Sequence, residues 1–312
     1  MATNKEMIKV DELNRLYNSR DPNDVIKFYD NFNTSEELIG WSRNRPHGRA
    51  KIYTVKGDTD IVVVIPTADR HGKYAKNCEK EIFKGQQIVF VESGGRDDPY
   101  FNYARNCNIG LRYALRYKPK WIILSNDDVY KIDSFLALKE RLLKINNKMY
   151  DTVYIDSCPD NYHSYKLLIG EANKFLLNYR EHNEKSKKRL EIFKKFSSYP
   201  PIELLPTNID SLKSLLIRLT IKKKAIVKQI GDFAILSGNF CEITREIFDE
   251  NYINQVEDVD LSLRLKNKAA MIKFRIGSYR GSTLDNNFIR SLRNLISYIY
   301  FNYKLKKKLI II

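Results

Sequence analysis

The rhythm of apolar and polar positions changes three times along this chain. Up to residue 57 the sequence is polar, with apolar positions at helical spacing behind helix-start signals. Asp21-Pro22-Asn23-Asp24 places a capping acid before a proline at the first helical position. Thr34-Ser35-Glu36-Glu37 repeats a cap ahead of Leu38 and Ile39. The basic stretch from Trp41 to Lys51 reads as a loop. Residues 58–155 then alternate two kinds of segment. Short runs that are apolar throughout (Ile61 to Ile65, Ile88 to Val91, Trp121 to Leu124, Thr152 to Ile155) have the composition of strands buried on both faces. Between them, residues 74–83, 103–117 and 134–145 have helical spacing. Strand and helix in alternation predict an α/β fold, with a mostly parallel Rossmann-like sheet, right-handed crossovers and flanking helices.

Residues 156–228 break that rhythm. They are Lys-rich, are interrupted at Tyr199-Pro200-Pro201 and Pro206, and read as a basic, mostly helical insertion. Residues 229–287 return to a compact α/β pattern. Residues 288–312 form an aromatic and basic helical tail. The chain therefore divides into an N-terminal helical extension (1–57), a first α/β half (58–155), the insertion, a second α/β half (229–287) and the tail.

Composition and charge narrow the function classes. The chain has 312 residues with 43% hydrophobic and 29% charged, which is globular and not disordered. No stretch approaches eighteen consecutive apolar residues, and the N-terminus lacks the apolar centre of a signal peptide. Four scattered cysteines (Cys78, Cys107, Cys158, Cys241) form no CxxC pair, so a disulfide scaffold or zinc finger is not expected and a reduced, cytoplasmic setting is. The four histidines (His47, His71, His163, His182) have no ligand spacing.

The formal net charge of +16 is unevenly spread. Residues 166–228 hold fifteen Lys/Arg against six Asp/Glu, and residues 288–312 hold six Lys/Arg and no acid, which leaves the rest near +1. In the tail, Tyr298, Tyr300, Phe301 and Tyr303 interleave with Lys304, Lys306, Lys307 and Lys308. That mixture suits an anionic membrane surface, as peripheral binding at its inner face. It equally suits a Lys-rich helix that caps the fold. Nucleic-acid binding has no supporting signature.

The candidate chemistry lies at strand ends, where open parallel sheets bind ligands. Thr67-Ala68-Asp69-Arg70, Glu92-Ser93 and Asn126-Asp127-Asp128 follow three successive strands, so the fold should gather them. Singly, each is an ordinary turn composition. Two carboxylates directly after a buried strand are costly when unpaired, and Mg²⁺ or Mn²⁺ shared with a diphosphate would satisfy them. A second acidic cluster, Glu257-Asp258-Val259-Asp260, opens a helix through Leu261, Leu263 and Leu265. Acids favour helix N-termini, but three in four residues exceed what capping needs, and one could act as a general base.

The ordered strings IVVVIPT, VESGGRDD, ARNCNIGLRYAL, WIILSNDDV, LSGNFCEITREIF and EDVDLSLRL resemble a family 2 glycosyltransferase of the GT-A fold. The resemblance covers residues 58–155 and 229–294, about half the chain. It implies an inverting transfer of a sugar from a nucleotide-diphosphate donor to a glycan or lipid-linked acceptor. Thr67 matches a nucleotide contact, Glu92 the acidic residue that recognises base or ribose, and Arg105-Asn106 a pair near base and diphosphate. Asp127 and Asp128 match the metal motif, with Asp128 as main ligand, and Asp258 matches the catalytic base. Gly238 matches the start of the acceptor-side loop, and Arg245-Glu246 an Arg-Glu pair in the helix that follows. Many relatives carry a His near residues 276–282. This chain has none there, and Arg280 is the positive group available to the diphosphate. Two other readings compete: a sugar nucleotidyltransferase, which would need a Gly-rich run after Pro66, and a non-catalytic membrane- or nucleic-acid-binding protein on this fold, for which Asp127, Asp128 and Asp258 would have no use.

Overall fold

The computed structural model describes residues 4–93, 98–155, 164–168, 184–197, 203–206, 225–228, 233–244, 246–265, 268–279 and 287–309. The chain enters through helices α1 (Asn4–Tyr17), α2 (Pro22–Asp30) and α3 (Ser35–Arg43). Asp21 and Thr34 cap α2 and α3 by accepting from the amides of Asn23 and Glu37, as their sequence signals predict. Next come β1 (Ala50–Val55), β2 (Asp58–Thr67), α4 (Lys73–Asn77) continued by a π-turn (Cys78–Ile82), β3 (Gln86–Ser93), α5 (Tyr103–Ala114), β4 (Trp121–Ser125), β5 (Val129–Lys131), α6 (Phe135–Leu142) and β6 (Thr152–Ile155). The insertion contributes β7 (Ser164–Leu168), α7 (Glu184–Phe196), β8 (Glu203–Pro206) and β9 (Ala225–Lys228). The second half adds β10 (Phe233–Ser237), α8 (Gly238–Ile243), α9 (Glu257–Leu265), β11 (Ala269–Ile272) and β12 (Ile276–Ser278), and the chain closes with α10 (Asn287–Arg293) and α11 (Leu295–Lys306).

The fold is α/β, a mixed but mostly parallel seven-stranded sheet flanked by helices and compatible with a Rossmann-like arrangement. Its strand order is β1-β3-β2-β4-β10-β6-β11. β2 runs parallel to both β3 and β4, and β11 runs parallel to β6. β10 is antiparallel to both its neighbours, and β1 is antiparallel to β3. The continuous apolar runs are continuous because the sheet is covered on both faces. In β2, Ile61, Val63 and Ile65 point to the layer of α4 and α6, while Val62 and Val64 point to the layer of α5 and α9. All five are fully buried, each worth roughly 1.5–3 kcal/mol of transfer from water. Gly110 lets α5 approach this sheet closely, since a Cβ there would collide with Val64 Cγ1.

Two strands fall where the sequence reads as loop or extension. β1 begins at the end of the basic stretch after α3 and runs on through the extension, and β5 directly follows the paired aspartates. Neither has a continuous apolar run, because β1 is an edge strand and β5 pairs only with β12. The described part of the insertion also departs from a helical reading. β7 pairs antiparallel with β8 and β9 in a three-stranded sheet, and α7 is the one helix among the described residues of the insertion.

The N-terminal extension, α7 and the tail form one helical layer. Tyr17, Phe28, Tyr29 and Trp41 pack with Ile192, Phe193, Leu292 and Ile296. Tyr29 donates to Leu292 O at 2.7 Å, and Arg293 donates to Asn18 O at 2.6 Å. Two of the four tail rings, Tyr300 and Phe301, are therefore in the core and not free to face a membrane, and Tyr298 and Tyr303 are half-buried against it. α11 is apolar nearly all round, so it is buried, with Tyr300 and Phe301 inside a core. Lys304 is buried too. Its ammonium lies 2.8 Å from Asp249 Oδ2 and 2.7 Å from Asp260 Oδ2, and Tyr300 donates to Asp249 Oδ2 at 2.8 Å. Lys306, Lys307 and Lys308 stay exposed. No helix among the described residues is long and apolar enough to cross a membrane.

Burial opposes ionisation of Asp249, but the Lys304 ammonium, the Asn251 amide and the Tyr300 hydroxyl together outweigh it and hold the carboxyl below its ordinary 3.8. A depressed folded-state value stabilises the fold above that ordinary value, and the contribution is lost as pH falls below it. Replacing Lys304 with Met strands the buried Asp260 carboxylate and the half-buried Asp249 one. Urea unfolding at pH 7 should show a loss of about 3–5 kcal/mol. The deficit should shrink below pH 4, as Asp249 protonates in both the folded and the unfolded variant.

Candidate functional site

Sheet register assembles the site. Thr67 is the direct partner of Glu92 on β3. On the other side Val64 is the partner of Leu124, so three residues further on Thr67 comes level with Asp127. The contact follows: Thr67 Oγ1 donates to Asp127 Oδ2 at 2.6 Å. Glu92, Thr67 and Asp127 thus form a row across the carboxyl ends of three adjacent parallel strands. Thr67 Oγ1 also accepts from the Asp69 amide at 3.2 Å, and Glu92 Oε2 accepts from the Arg70 amide at 2.8 Å, so the loop after β2 is tied down at both ends. The Arg70 guanidinium turns away to pair with Glu79 and to stack over the Phe90 ring.

The segment after β4 is held from both faces of the sheet. Cys78 Sγ donates to Asp127 O at 3.3 Å and Asn77 Nδ2 to Val129 O at 3.4 Å, which fastens the α4 layer to the two aspartates. On the other face, Tyr103 donates its phenol proton to Asn126 Oδ1 at 2.7 Å. β12 closes the rim, with Ser278 paired to Val129 and the Tyr279 amide donating to Asp128 O at 2.7 Å. Burial raises the Asp127 carboxyl above its ordinary value, with the Asp69 charge adding to the rise and the Thr67 hydroxyl and backbone amides opposing it.

No group of three or more His, Cys, Asp or Glu side chains able to hold a metal gathers among the described residues. The donor set is instead two carboxylates, Asp127 and Asp128. One of them is largely withdrawn from water. That suits a Mg²⁺ or Mn²⁺ ion that completes its oxygen shell from a phosphate-bearing ligand. Such a cation would lower the Asp127 carboxyl again.

The second acidic cluster sits on the α5 face. Gln255 and Val256 both have left-handed backbones, at φ 76° and 75°, directly before α9. This is costly for any side chain and most of all for the β-branched, buried Val256. α9 then begins with Glu257 and Asp258. Asp258 is half-buried, with Oδ1 accepting from the Val259 amide at 2.8 Å. Its charge reaches both Glu257 and Cys107 of α5. Glu257 is buried with its Oε2 unpaired, and burial first, then the neighbouring Asp258 charge, push its carboxyl well above the usual range. Asp260, the third acid, belongs to Lys304 and not to the site.

Other expected residues fall elsewhere. The Arg105 guanidinium lies 3.4 Å from Gly48 O and 3.9 Å from Glu250 Oε2. Asn106 is buried within α5. Gly238 lies at the opposite edge of the sheet, because β10 is antiparallel: its amide donates to Lys120 O at 2.9 Å, before β4 begins. Glu246 is exposed. Arg280, Arg245, Gly94 and Gly95 lie outside the described residues, as do Cys158, His163 and His182.

Sequence reasoning missed the bracket that places residues 248–258. Asn102 caps α5 through the Arg105 amide and donates to Glu250 O at 2.7 Å. Asn108 donates to Phe248 O at 2.8 Å and accepts from the Phe248 amide at 3.0 Å. Asn102 is legible as an N-cap, whereas an Asn inside a helix carries no such signal. No protein-family model matches this chain, and a search of curated proteins finds no match.

A raised folded-state carboxyl costs stability as pH climbs from the unfolded value towards the folded one. Glu257 is therefore a cost at neutral pH that is absent below its ordinary 4.5. Glu257→Gln should raise the melting temperature by a few degrees at pH 7–8 and leave it unchanged at pH 4.

Proposed function

We propose that this chain is a metal-dependent inverting glycosyltransferase of the GT-A kind. It would move a sugar from a nucleotide-diphosphate donor to a hydroxyl of a glycan or lipid-linked acceptor. The observation that carries the reading is the row of Glu92, Thr67 and Asp127 across three parallel strand ends, joined by the Thr67–Asp127 hydrogen bond. Ligands of open α/β sheets bind at this edge.

In this reading Asp127 and Asp128 hold Mn²⁺ or Mg²⁺ together with the donor diphosphate. When bound, the ion neutralises charge that develops on the departing diphosphate. Thr67 orients Asp127 and lines the nucleotide side, and Glu92 fixes the loop that the nucleotide lies against. Asp258 takes the proton of the acceptor hydroxyl as that oxygen attacks the anomeric carbon. The bond from the anomeric carbon to the diphosphate oxygen breaks as the new glycosidic bond forms, so the anomeric configuration inverts. Arg280 supplies fixed positive charge to the diphosphate, and Arg105 does so only if it exchanges its Glu250 contact for the ligand. Any anionic membrane surface would meet the exposed Lys306–Lys308 run and the basic insertion, not the buried rings of α11.

A thermal-shift screen of UDP, GDP, dTDP and CMP with Mn²⁺ tests the donor site. One nucleotide should stabilise the protein, by about 2.7 kcal/mol at a hundredfold excess over its dissociation constant. Asp128→Asn should lose that stabilisation. Asp258→Asn should keep it while losing transfer by several orders of magnitude, and near-normal turnover in this variant would remove Asp258 as the base.

A further inference from the structure

Two basic segments without acids meet at the edge of the sheet opposite the candidate site. Residues 111–120 hold four Lys/Arg and no Asp or Glu, and residues 141–150 hold three and none. The first ends α5 and leads into β4, and the second ends α6 and leads towards β6. Three contacts join them at the start of β4. The Trp121 indole donates to Leu142 O at 3.1 Å, and Asn147 Nδ2 donates to Lys120 O at 3.1 Å. Ser237 Oγ, at the end of β10, donates to Asn147 O at 2.6 Å. α8 starts from that joint and packs against the 3₁₀ turn Leu115–Tyr117.

The aspartates that border this edge are already paired, Asp60 with Lys120 at 3.1 Å and Asp151 with Lys268 at 3.8 Å. Lys118, Lys144 and Lys148 are exposed and have no ion pair among the described residues, while α8 contributes one exposed acid, Glu242. Large apolar side chains face water between these cations. Met149 is 63% exposed, Leu143 39%, and Ile243, the last residue of α8, 83%. Tyr117, in the turn against which α8 packs, is half-buried, and the Arg116 guanidinium lies 4.5 Å from the centre of the Tyr113 ring. An exposed apolar residue is ordinary when it stands singly, but three on one basic edge form a patch with a matching partner chemistry.

We propose that this edge docks on an anionic bilayer. The lysines meet acidic headgroups, and Met149, Leu143 and Ile243 enter the boundary between headgroups and acyl chains, with tyrosine at headgroup level. A nucleic acid would offer phosphates to the lysines but nothing to exposed Ile and Met, so the apolar residues decide for lipid. Strand direction then sets the orientation. β4 carries the chain about 20 Å from Lys120 to Asp127, so the paired aspartates face away from the membrane. The docking surface stands whether or not the chain transfers sugars, because it shares no residue with that site.

Co-sedimentation of the full chain with phosphatidylcholine vesicles, and with mixed phosphatidylcholine–phosphatidylserine vesicles, tests the surface. Wild type should bind the mixed vesicles, more weakly as salt rises, and leave the neutral ones alone. The triple variant Lys118→Gln, Lys144→Gln, Lys148→Gln should lose affinity about a hundredfold, and Lys306→Gln, Lys307→Gln, Lys308→Gln should lose less. Met149→Ser combined with Ile243→Ser should lose about tenfold on mixed vesicles and keep its retention on heparin, a polyanion without an apolar phase. Every altered side chain of the edge is exposed, so melting temperatures should be unchanged. No binding by wild type, undiminished binding by the edge triple variant, or a loss confined to the tail variant overturns the proposal. Vesicle binding unchanged by the Met149 and Ile243 substitutions would assign the edge to a free polyanion and overturn the bilayer.

Discussion

One buried ammonium ties the C-terminal helix to the second α/β half of this protein. Lys304, on the last helix, lies between Asp249 and Asp260, with Tyr252 and Tyr300 rings around it. Asp249 follows the α5-bound Phe248, and Asp260 is in the first turn of α9. The Lys304 contacts therefore fix both ends of the segment that leads into Glu257 and Asp258. A buried charge is tolerable only when paired and fully bonded, so these two carboxylates admit α11 in one position. The candidate base thus depends on the C-terminal helix, although the two are more than forty residues apart and share no secondary-structure element.

The other half of the site depends on register alone. β2 is flanked by β3 and β4 in parallel, and a common direction brings three polar strand ends to one edge. A shift of one residue on any of these strands would exchange its side chains between the two packed faces and turn Thr67, Glu92 or Asp127 to the other side of the sheet. The burial that holds the sheet together is therefore also what sets Thr67 against Asp127. The antiparallel β10 has the opposite effect. It carries Gly238 away from that edge and delivers Ser237 to the start of β4, so a string that resembles an acceptor loop becomes a structural joint.

These contrasts explain what was legible in the sequence. Runs buried on both faces announce themselves, and so do caps such as Asp21 and Thr34, because the signal is local. Strand direction is not local: nothing in Phe233-Ala234-Ile235-Leu236-Ser237 says which way it will run. Edge elements such as β1 lack continuous apolar character and read as loop. The tail misled for a related reason. Alternating rings and lysines fit an interface as well as a buried helix, and only the distant Asp249 and Asp260 decide between them for Lys304. Its long apolar stem crosses the core and ends on two acids, an arrangement that no spacing within residues 288–312 encodes.

The site is also where the structure departs from local comfort. Two left-handed residues, each costing about 1–2 kcal/mol, precede a buried carboxyl that has an unpaired oxygen. Such costs persist only where surrounding structure over-determines them. Here the Asn102 and Asn108 bracket holds one end of the segment and the Lys304 pair holds α9, so the chain between must turn abruptly at Gln255 and Val256. A relaxed turn would swing the first turn of α9 away from α5. The strained turn keeps Asp258 half-exposed beside the helix whose first residue, Tyr103, grips Asn126. The net charge of the chain thus says little about this chemistry. The cation that matters most is the one turned inward, Lys304, and it pairs with Asp249 and Asp260 rather than with Asp127 and Asp258, the carboxylates the proposed reaction uses.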